Sequence, residues 1–335
     1  MPKAFRTLLL EKYKEISPYI VHYNYADLNV LEQLYLPTLK AAFVKCFEFN
    51  LYLNQITKLD NSFYNIPFLR GICEDLISLK FLLNFKTEDR DELLTKYNHY
   101  LLQTSIQTQR KFFLKEKIIQ PILNPQSIDE MVSNSERDLK QFWIRHGYNK
   151  DKLFPSVEHM AIDGKLKVLY DFLYHATSRA VHFSPNVLLR MGWYDAPAGP
   201  VIFSTKNFSN YYTFFNSYYG TYLFIQYEKA FRKELKLDKN IRLLIKSLAD
   251  ILKNVGEVPE IITFEELNLK RPKKYPYRIL NMIAQMGKEE KESFFEHLPQ
   301  IINDLKKKRN KAKYLPLIAL LSKLVKTTDQ KPKKL

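Results

Sequence analysis

Residues 170–182 of the 335-residue chain read YDFLYHATSRAVH, and this stretch is the most informative one for predicting the fold. As a helix, the stretch puts Asp171, His175, Ser178 and His182 at i, i+4, i+7 and i+11, which is one continuous face. Titratable side chains on a partly buried helix are costly unless they are paired or used. The stretch therefore predicts a polar site within a helical protein.

The rest of the sequence continues the helical pattern. Apolar residues recur at helical spacing, only 8 Gly occur, and no alternating β pattern is present, so we expect an all-α fold. The predicted helices span 4–14, 27–58, 64–85, 89–116, 127–146, 156–183, 207–236, 239–254, 276–287, 289–309 and 312–326. The 156–183 helix is expected to break near Asp163, and 184–205 is the longest expected non-helical connection.

Charge and composition divide the chain unevenly. We expect a main helical bundle at 1–237, which carries the His/Arg face, and a smaller basic helical region at 238–335 with a disordered tail from 327. The net charge is +16, and the last 35 residues hold 11 Lys/Arg against two carboxylates. This asymmetry is typical of nucleic-acid binding or of a solvated tail. The predicted phosphate contacts are Lys306, Lys307, Lys308, Arg309, Lys311 and Lys313.

Neither a secretory leader nor a membrane span is expected. The chain opens on only a short apolar run, and its longest uncharged run, 207–227, is interrupted by polar residues. The ten aromatic residues of that run are typical of a helix core, although bases could stack on them. Cys46 and Cys73 lie in apolar helical contexts and are expected to be free and buried. We expect a cytoplasmic protein with no membrane partner.

Three interpretations remain open for His175 and His182, with Arg179 between them. In metal-independent phosphodiester cleavage, one histidine takes a proton from a ribose 2′-hydroxyl, another donor protonates the leaving oxygen, and Arg179 neutralises the phosphate. A metal site with Asp171 and Glu74 is disfavoured, because histidines at i, i+7 are one turn too far apart for the usual helical metal pair. The third interpretation is a hydrogen-bonded cluster that only fixes helix packing. No metal or cofactor is expected.

A second polar stripe crosses the apolar helix predicted at 64–85. Arg70 and Glu74 stand at i, i+4, which is also the spacing of an intrahelical ion pair at the rim of a core. Two polar stripes in apolar helices each need a partner, so we expect this helix to pack against the face from Asp171 to His182. Arg70 or Glu74 should then lie within hydrogen-bond reach of that face. The predicted supporting residues are Arg70, Glu74, Asp171 and Ser178.

Two groups of residues carry a resemblance to a known family. The first is the run Arg70-Gly71-Ile72-Cys73-Glu74, and the second, much later in the chain, is Tyr170, Tyr174, Ser178 and His182. These residues are similar to an uncharacterised all-helical bacterial family, domain of unknown function 5677. The similarity extends over about residues 40–235.

The spacing before His182 also resembles the arginine–histidine motif of HEPN ribonucleases and defence proteins. This sequence departs from that motif, because His175 stands where the arginine is expected and Arg179 lies inside the spacer. The resemblance implies a HEPN-like helical bundle, here with additional basic C-terminal helices, and a homodimer with facing motif helices.

We therefore expect an RNA-directed protein, acting on RNA in preference to DNA. The leading hypothesis is a metal-independent HEPN-like endoribonuclease of a phage-defence or toxin-like system, with His175, Arg179 and His182 as catalytic residues. The alternative is a non-catalytic helical protein that binds nucleic acid or protein and whose histidine cluster is structural.

Overall fold

Helices make up most of the chain in this computed structural model, which describes residues 2–20, 33–56, 59–148, 153–194, 201–262, 283, 286–307, 318 and 321–322. The longer helices are α1 (Pro2–Ile20), α2 (Tyr35–Gln55), α3 (Ile66–Leu82), α4 (Thr87–Lys115), α5 (Ile128–Arg145), α10 (Ser209–Leu235), α11 (Lys239–Asn254) and α12 (Lys288–Lys307). The shorter elements are a 3-10 helix (Leu59–Asn65), α6 (Val157–Asp163), α7 (Lys167–Leu169), a π-turn (Tyr170–Tyr174), α8 (His175–Val181) and α9 (Pro185–Leu189). These elements confirm the all-α expectation.

Helix α10 lies at the centre of the first compact unit, Met1–Glu260, with α1, α2, α3 and α11 against it. Phe224 is wholly buried, and its ring stacks on Phe43 with centroids 5.0 Å apart. The ten aromatic residues of 207–227 are all buried or half-buried, so the core interpretation of that run is confirmed. Their apolar area stabilises the unit by being removed from water.

Most predicted helix bounds are close to the observed ones. Helix α11 begins and ends at the predicted residues. Four other helices each begin and end within three residues of the prediction: α3, α4, α5 and α10. Helix α2 lies within the predicted helix 27–58, of which residues 27–32 and 57–58 are outside the described residues. The predicted helices 276–287 and 312–326 lie largely outside the described residues, as does the predicted tail. No helix within the described ranges is long and apolar enough to cross a membrane.

The described part of the connection 184–205, which the sequence predicts to be non-helical, contains a short helix and two strands. These are α9 and an antiparallel pair, β1 (Gly192–Tyr194) with β2 (Val201–Phe203). Gly192 pairs with Phe203, and Tyr194 pairs with Val201. Each strand has three residues, too few for an alternating pattern to be recognised.

The chain divides further along than the predicted boundary at 237/238. The first unit extends to Glu260, and the second is Ile261–Leu335. Helix α11 belongs to the first unit because Ile241, Ile245 and Leu248 are buried in its core. In the second unit, Leu298 and Ile302 of α12 are buried with Ile318 and Leu321.

We expect Gly220→Ala to destabilise the fold, because this glycine of α10 lies directly against Asn50 of α2. A Cβ there would lie 2.5 Å from Oδ1 of Asn50. The Asn50 amide is wholly buried and donates to the Gly220 carbonyl at 3.0 Å, so it cannot easily move away. Urea unfolding should show a loss of about 1–3 kcal/mol.

The matched control for Gly220→Ala is Gly71→Ala in the interior of α3. The nearest atom to a Cβ at Gly71 is Nζ of Lys45 at 3.9 Å, which is ordinary contact. Because alanine favours a helix over glycine by up to about 1 kcal/mol, this variant should be neutral or stabilised. Equal losses in both variants would contradict the close-approach explanation.

Candidate functional site

The predicted site helix contains one irregular turn. Helix α7 runs into the π-turn Tyr170–Tyr174 and then into α8, which ends at Val181. A π-turn closes i→i+5 hydrogen bonds, so the backbone between Asp171 and His175 is not a regular α-helix. His182 follows α8 with φ −97° and ψ 162°, which is extended backbone. The expectation of one continuous α-helical face from Asp171 to His182 is therefore wrong.

Two tyrosines and two cations form a column beside this turn, called here the tyrosine column. The rings of Tyr170 and Tyr174 stack with centroids 4.8 Å apart and planes 19° from parallel. Nζ of Lys167 lies 5.4 Å from the centroid of Tyr170, and Cζ of Arg70 lies 5.0 Å from that of Tyr174. A cation over an aromatic ring contributes about 0.5–1 kcal/mol at exposed sites. The column therefore links α3 to the helix that carries the histidines.

Arg70 is the direct contact between the two predicted polar segments. Its Nη2 donates to the Tyr174 hydroxyl at 2.8 Å and lies 3.6 Å from Oε2 of Glu74. Helix α3 packs against both the π-turn and α8, so the predicted packing of the two helices is confirmed. Arg70 reaches Tyr174 rather than the polar face itself. Glu74 pairs with Arg70 on its own helix, a spacing that contributes only a few tenths of a kcal/mol.

His175, Arg179 and His182 all have exposed side chains. The ring of His175 meets that of Tyr170 edge-on, with centroids 4.7 Å apart. Within the described ranges, none of the three side chains makes a hydrogen bond or an ion pair. Because these groups are solvated, they need no internal partner, and they are accessible to an anion from outside.

The two other predicted supporting residues have local roles. Asp171 accepts a hydrogen bond from Lys167, which also lies 3.3 Å from Oε1 of Glu158. The hydrogen bond to Asp171 raises the pKa of the Lys167 ammonium group. Ser178 is half-buried, and its carbonyl accepts from the His182 N–H at 3.0 Å. Asp171 therefore pairs with a lysine that sequence reasoning did not include.

Across the residues that the structure describes, no group of three His, Cys, Asp or Glu side chains could hold a metal ion. Of the predicted phosphate contacts, Lys306 and Lys307 are exposed in the last turn of α12. The other four predicted contacts, Lys308, Arg309, Lys311 and Lys313, lie outside the described residues.

Sequence reasoning missed the role of Tyr174, which is the acceptor for Arg70. The sequence did contain a signal for this role. Tyr170 and Tyr174 are four residues apart, as are Lys167 and Asp171. Side chains at this spacing can contact each other on a helix, and both pairs do. Nothing in the sequence indicated the π-turn, since its five residues also fit an ordinary α-helix.

Both polar segments lie within the part of the chain that matches a family model. Residues 65–196 match the Family of unknown function (DUF5677). The match contains α3 with Arg70 and Glu74, the π-turn, α8 and His182, so the contact between the two segments also lies inside it. No curated protein and no solved structure matches the chain.

We expect Tyr174→Phe to lower the free energy of unfolding by about 1–2 kcal/mol, because it removes the acceptor of a half-buried guanidinium N–H. The phenyl ring retains the stack on Tyr170, so the loss reports the hydroxyl alone. Urea unfolding measures it. Tyr52→Phe is the control, because Tyr52 is 56% exposed and should change stability by less than about 0.5 kcal/mol. An unchanged free energy of unfolding in Tyr174→Phe would contradict a structural role for this hydrogen bond.

Proposed function

We propose that the chain acts on RNA and that His175, Arg179 and His182 form a metal-independent, HEPN-like cleavage site. The observation that carries the proposal is the exposure of all three side chains on one short segment beside the Arg70–Tyr174 contact. A buried cluster would have favoured a packing role, whereas exposed imidazole and guanidinium groups are accessible to a phosphodiester.

The chemistry divides among the three side chains. One imidazole takes the proton of a ribose 2′-hydroxyl, whose oxygen attacks the adjacent phosphorus, and the other imidazole donates a proton to the departing 5′ oxygen. Arg179 neutralises the charge that develops on the non-bridging oxygens. Arg70 and Tyr174 hold the helix in position from α3. The step needs no metal, and its products are a 2′,3′-cyclic phosphate and a free 5′-hydroxyl.

The family match supports a common role for the two polar segments, since one family pattern spans both of them. A HEPN-like arrangement would also pair two copies of the chain with their α8 helices facing each other. Arg179 would then supply the cation that the HEPN motif places at the position of His175. Such an enzyme suits a phage-defence or toxin-like system, in which expression of the wild type would slow growth.

The test is cleavage of end-labelled single-stranded RNA by the purified chain in excess EDTA. We expect fragments that end in 2′,3′-cyclic phosphate, and no cleavage of DNA or of 2′-O-methyl RNA, which lack the attacking hydroxyl. Cleavage that requires a divalent metal, or equal cleavage of DNA, would contradict the proposed mechanism. Co-purifying nuclease is excluded if Arg179→Ala, prepared identically, is inactive.

We expect Lys306→Gln with Lys307→Gln to weaken RNA binding uniformly across sequences and to reduce its salt dependence. The slope of log K against log salt should become shallower by about 0.7 for each phosphate of a single strand that the variant no longer neutralises. Filter binding at several salt concentrations measures the slope. Lys253→Gln, a similarly exposed lysine on α11, is the control. An unchanged slope in the double variant would show that these charges are only solubilising.

The alternative is a non-catalytic nucleic-acid- or protein-binding role. One observation favours it: within the described ranges neither imidazole has a hydrogen bond that orients it, whereas a general acid or base is usually held by a third group. Binding of RNA without cleavage, abolished in Arg179→Ala, would support this role over the enzyme.

A further inference from the structure

The end of the α4–α5 hairpin carries a surface that the proposed RNA site does not use. Residues 110–125, called here the hairpin tip, read RKFFLKEKIIQPILNP and join the last turns of α4 to the start of α5. The buried residues of α4 are Asp91 and Leu93, both in its first two turns. Phe112 lies about 28 Å further along the helix axis than Leu93, so the tip is remote from the core.

Large apolar side chains are exposed at this tip. Phe112 is 55% exposed, Leu114 60% and Leu123 62%, and Ile119 is as exposed as in an extended chain. Single exposed apolar residues are ordinary on soluble proteins, but four within twelve residues at one end of a hairpin make that end a candidate interaction surface.

The tip has a defined backbone. Helix α4 ends in a Schellman turn, in which the Ile118 N–H donates to the Phe113 carbonyl at 3.0 Å and the Lys117 N–H to the Leu114 carbonyl at 3.3 Å. Lys117 has φ 51°, the left-handed conformation that closes such a turn. Ile119 lies two residues beyond Lys117, where the chain has left the helix.

Cations surround the apolar side chains. Lys111, Lys115 and Lys117 are exposed and Arg110 is half-exposed, with Glu116 as the one carboxylate of residues 110–125. The tip therefore combines an apolar surface with a net positive charge. Interfacial membrane anchors have this combination, because their apolar side chains enter the acyl boundary while the basic side chains contact anionic headgroups.

We propose that the hairpin tip binds the surface of an anionic lipid bilayer peripherally. Insertion of the tip by about 5–10 Å would bury its apolar side chains and leave its lysines among the headgroups. A second copy of the chain fits less well, because its own tip and its net charge of +16 would repel the tip. RNA fits less well, because Leu114, Ile119 and Leu123 offer no base-stacking surface. The expectation of no membrane partner rested on the lack of a span, which a peripheral contact does not need.

The test is flotation of the full-length chain with vesicles of phosphatidylcholine alone or with about one third phosphatidylserine. We expect binding to the anionic vesicles only. Ile119→Ser with Leu123→Ser should weaken it by about tenfold or more, although the charge is unchanged. Leu101→Ser with Leu102→Ser is the matched control, because this pair lies on the same hairpin about 18 Å back along α4 from Leu114 and is also exposed.

A second measurement reports insertion directly and separates the tip from the basic C-terminal region. Cys46 and Cys73 are wholly buried, and burial raises the pKa of both thiols, so Gln120→Cys provides the reactive position for an environment-sensitive dye. We expect a blue shift of the dye on anionic vesicles and none for the dye at His99→Cys, an exposed position on α4.

Three results would overturn the proposal. One is equal vesicle binding by wild type and the Ile119/Leu123 variant. Another is a concentration-dependent dimer that the same variant abolishes, which would assign the tip to a second copy. The third is a dye response to RNA but not to vesicles.

Discussion

We expect His182→Ala to abolish RNA cleavage while the protein remains folded. Removal of a general acid or base costs about 10²–10⁴-fold in rate, so the variant should fall to the background of the assay. Its thermal unfolding should match that of wild type, because the His182 side chain is exposed and its residue follows the end of α8. The measurement is the initial rate of cleavage of end-labelled RNA, with unfolding recorded on the same preparations.

The control for this variant is His99→Ala, which removes an exposed histidine from the middle of α4 and should keep wild-type activity. Equal cleavage by wild type and His182→Ala would leave the catalytic proposal without support. Unfolding of His182→Ala would instead show that the histidine is structural, which its exposure argues against.

Phe224→Ala destabilises the first unit by about 3–5 kcal/mol, the usual cost of deleting a wholly buried phenyl ring. The ring lies between helices, with Phe43 at 5.0 Å, Tyr13 at 5.7 Å and Phe47 at 6.0 Å between centroids. No single neighbour can fill the space that it leaves, so a cavity persists. Urea unfolding followed by circular dichroism measures the loss.

Phe183→Ala is the matched control, because its ring is 86% exposed and its removal should change stability by less than about 0.5 kcal/mol. A loss below about 1 kcal/mol in Phe224→Ala would contradict the central position of α10 in the core.

Sequence periodicity predicted the helices well where each has one continuous apolar stripe. The bounds of α11 follow from Asp238, whose side chain accepts from the N–H groups of Asn240 and Ile241, and from regularly spaced Ile241, Ile245 and Leu248. The same periodicity could not place α11 in the first unit. That depends on its packing against α1, which is distant in sequence, as well as against α10.

The candidate site was predictable in its composition but not in its geometry. The contact between α3 and the histidine-bearing helix followed from two polar stripes that needed partners, and Arg70 does reach across. Its acceptor, Tyr174, lies within the π-turn, which nothing in the sequence indicated. Exposure of His175 and His182 was also not predictable, since the apolar residues beside them suggested partial burial.

The most direct test of the proposed function is to observe which histidines RNA contacts. The chain has seven histidines, so imidazole resonances of a histidine-labelled sample can be followed during titration with uncleavable 2′-O-methyl RNA. The proposal predicts that the signals of His175 and His182 shift, that those of His99 and His159 do not, and that Arg179→Ala weakens the response. Shifts confined to other histidines, or none at saturating RNA, would contradict the assignment of this surface to RNA.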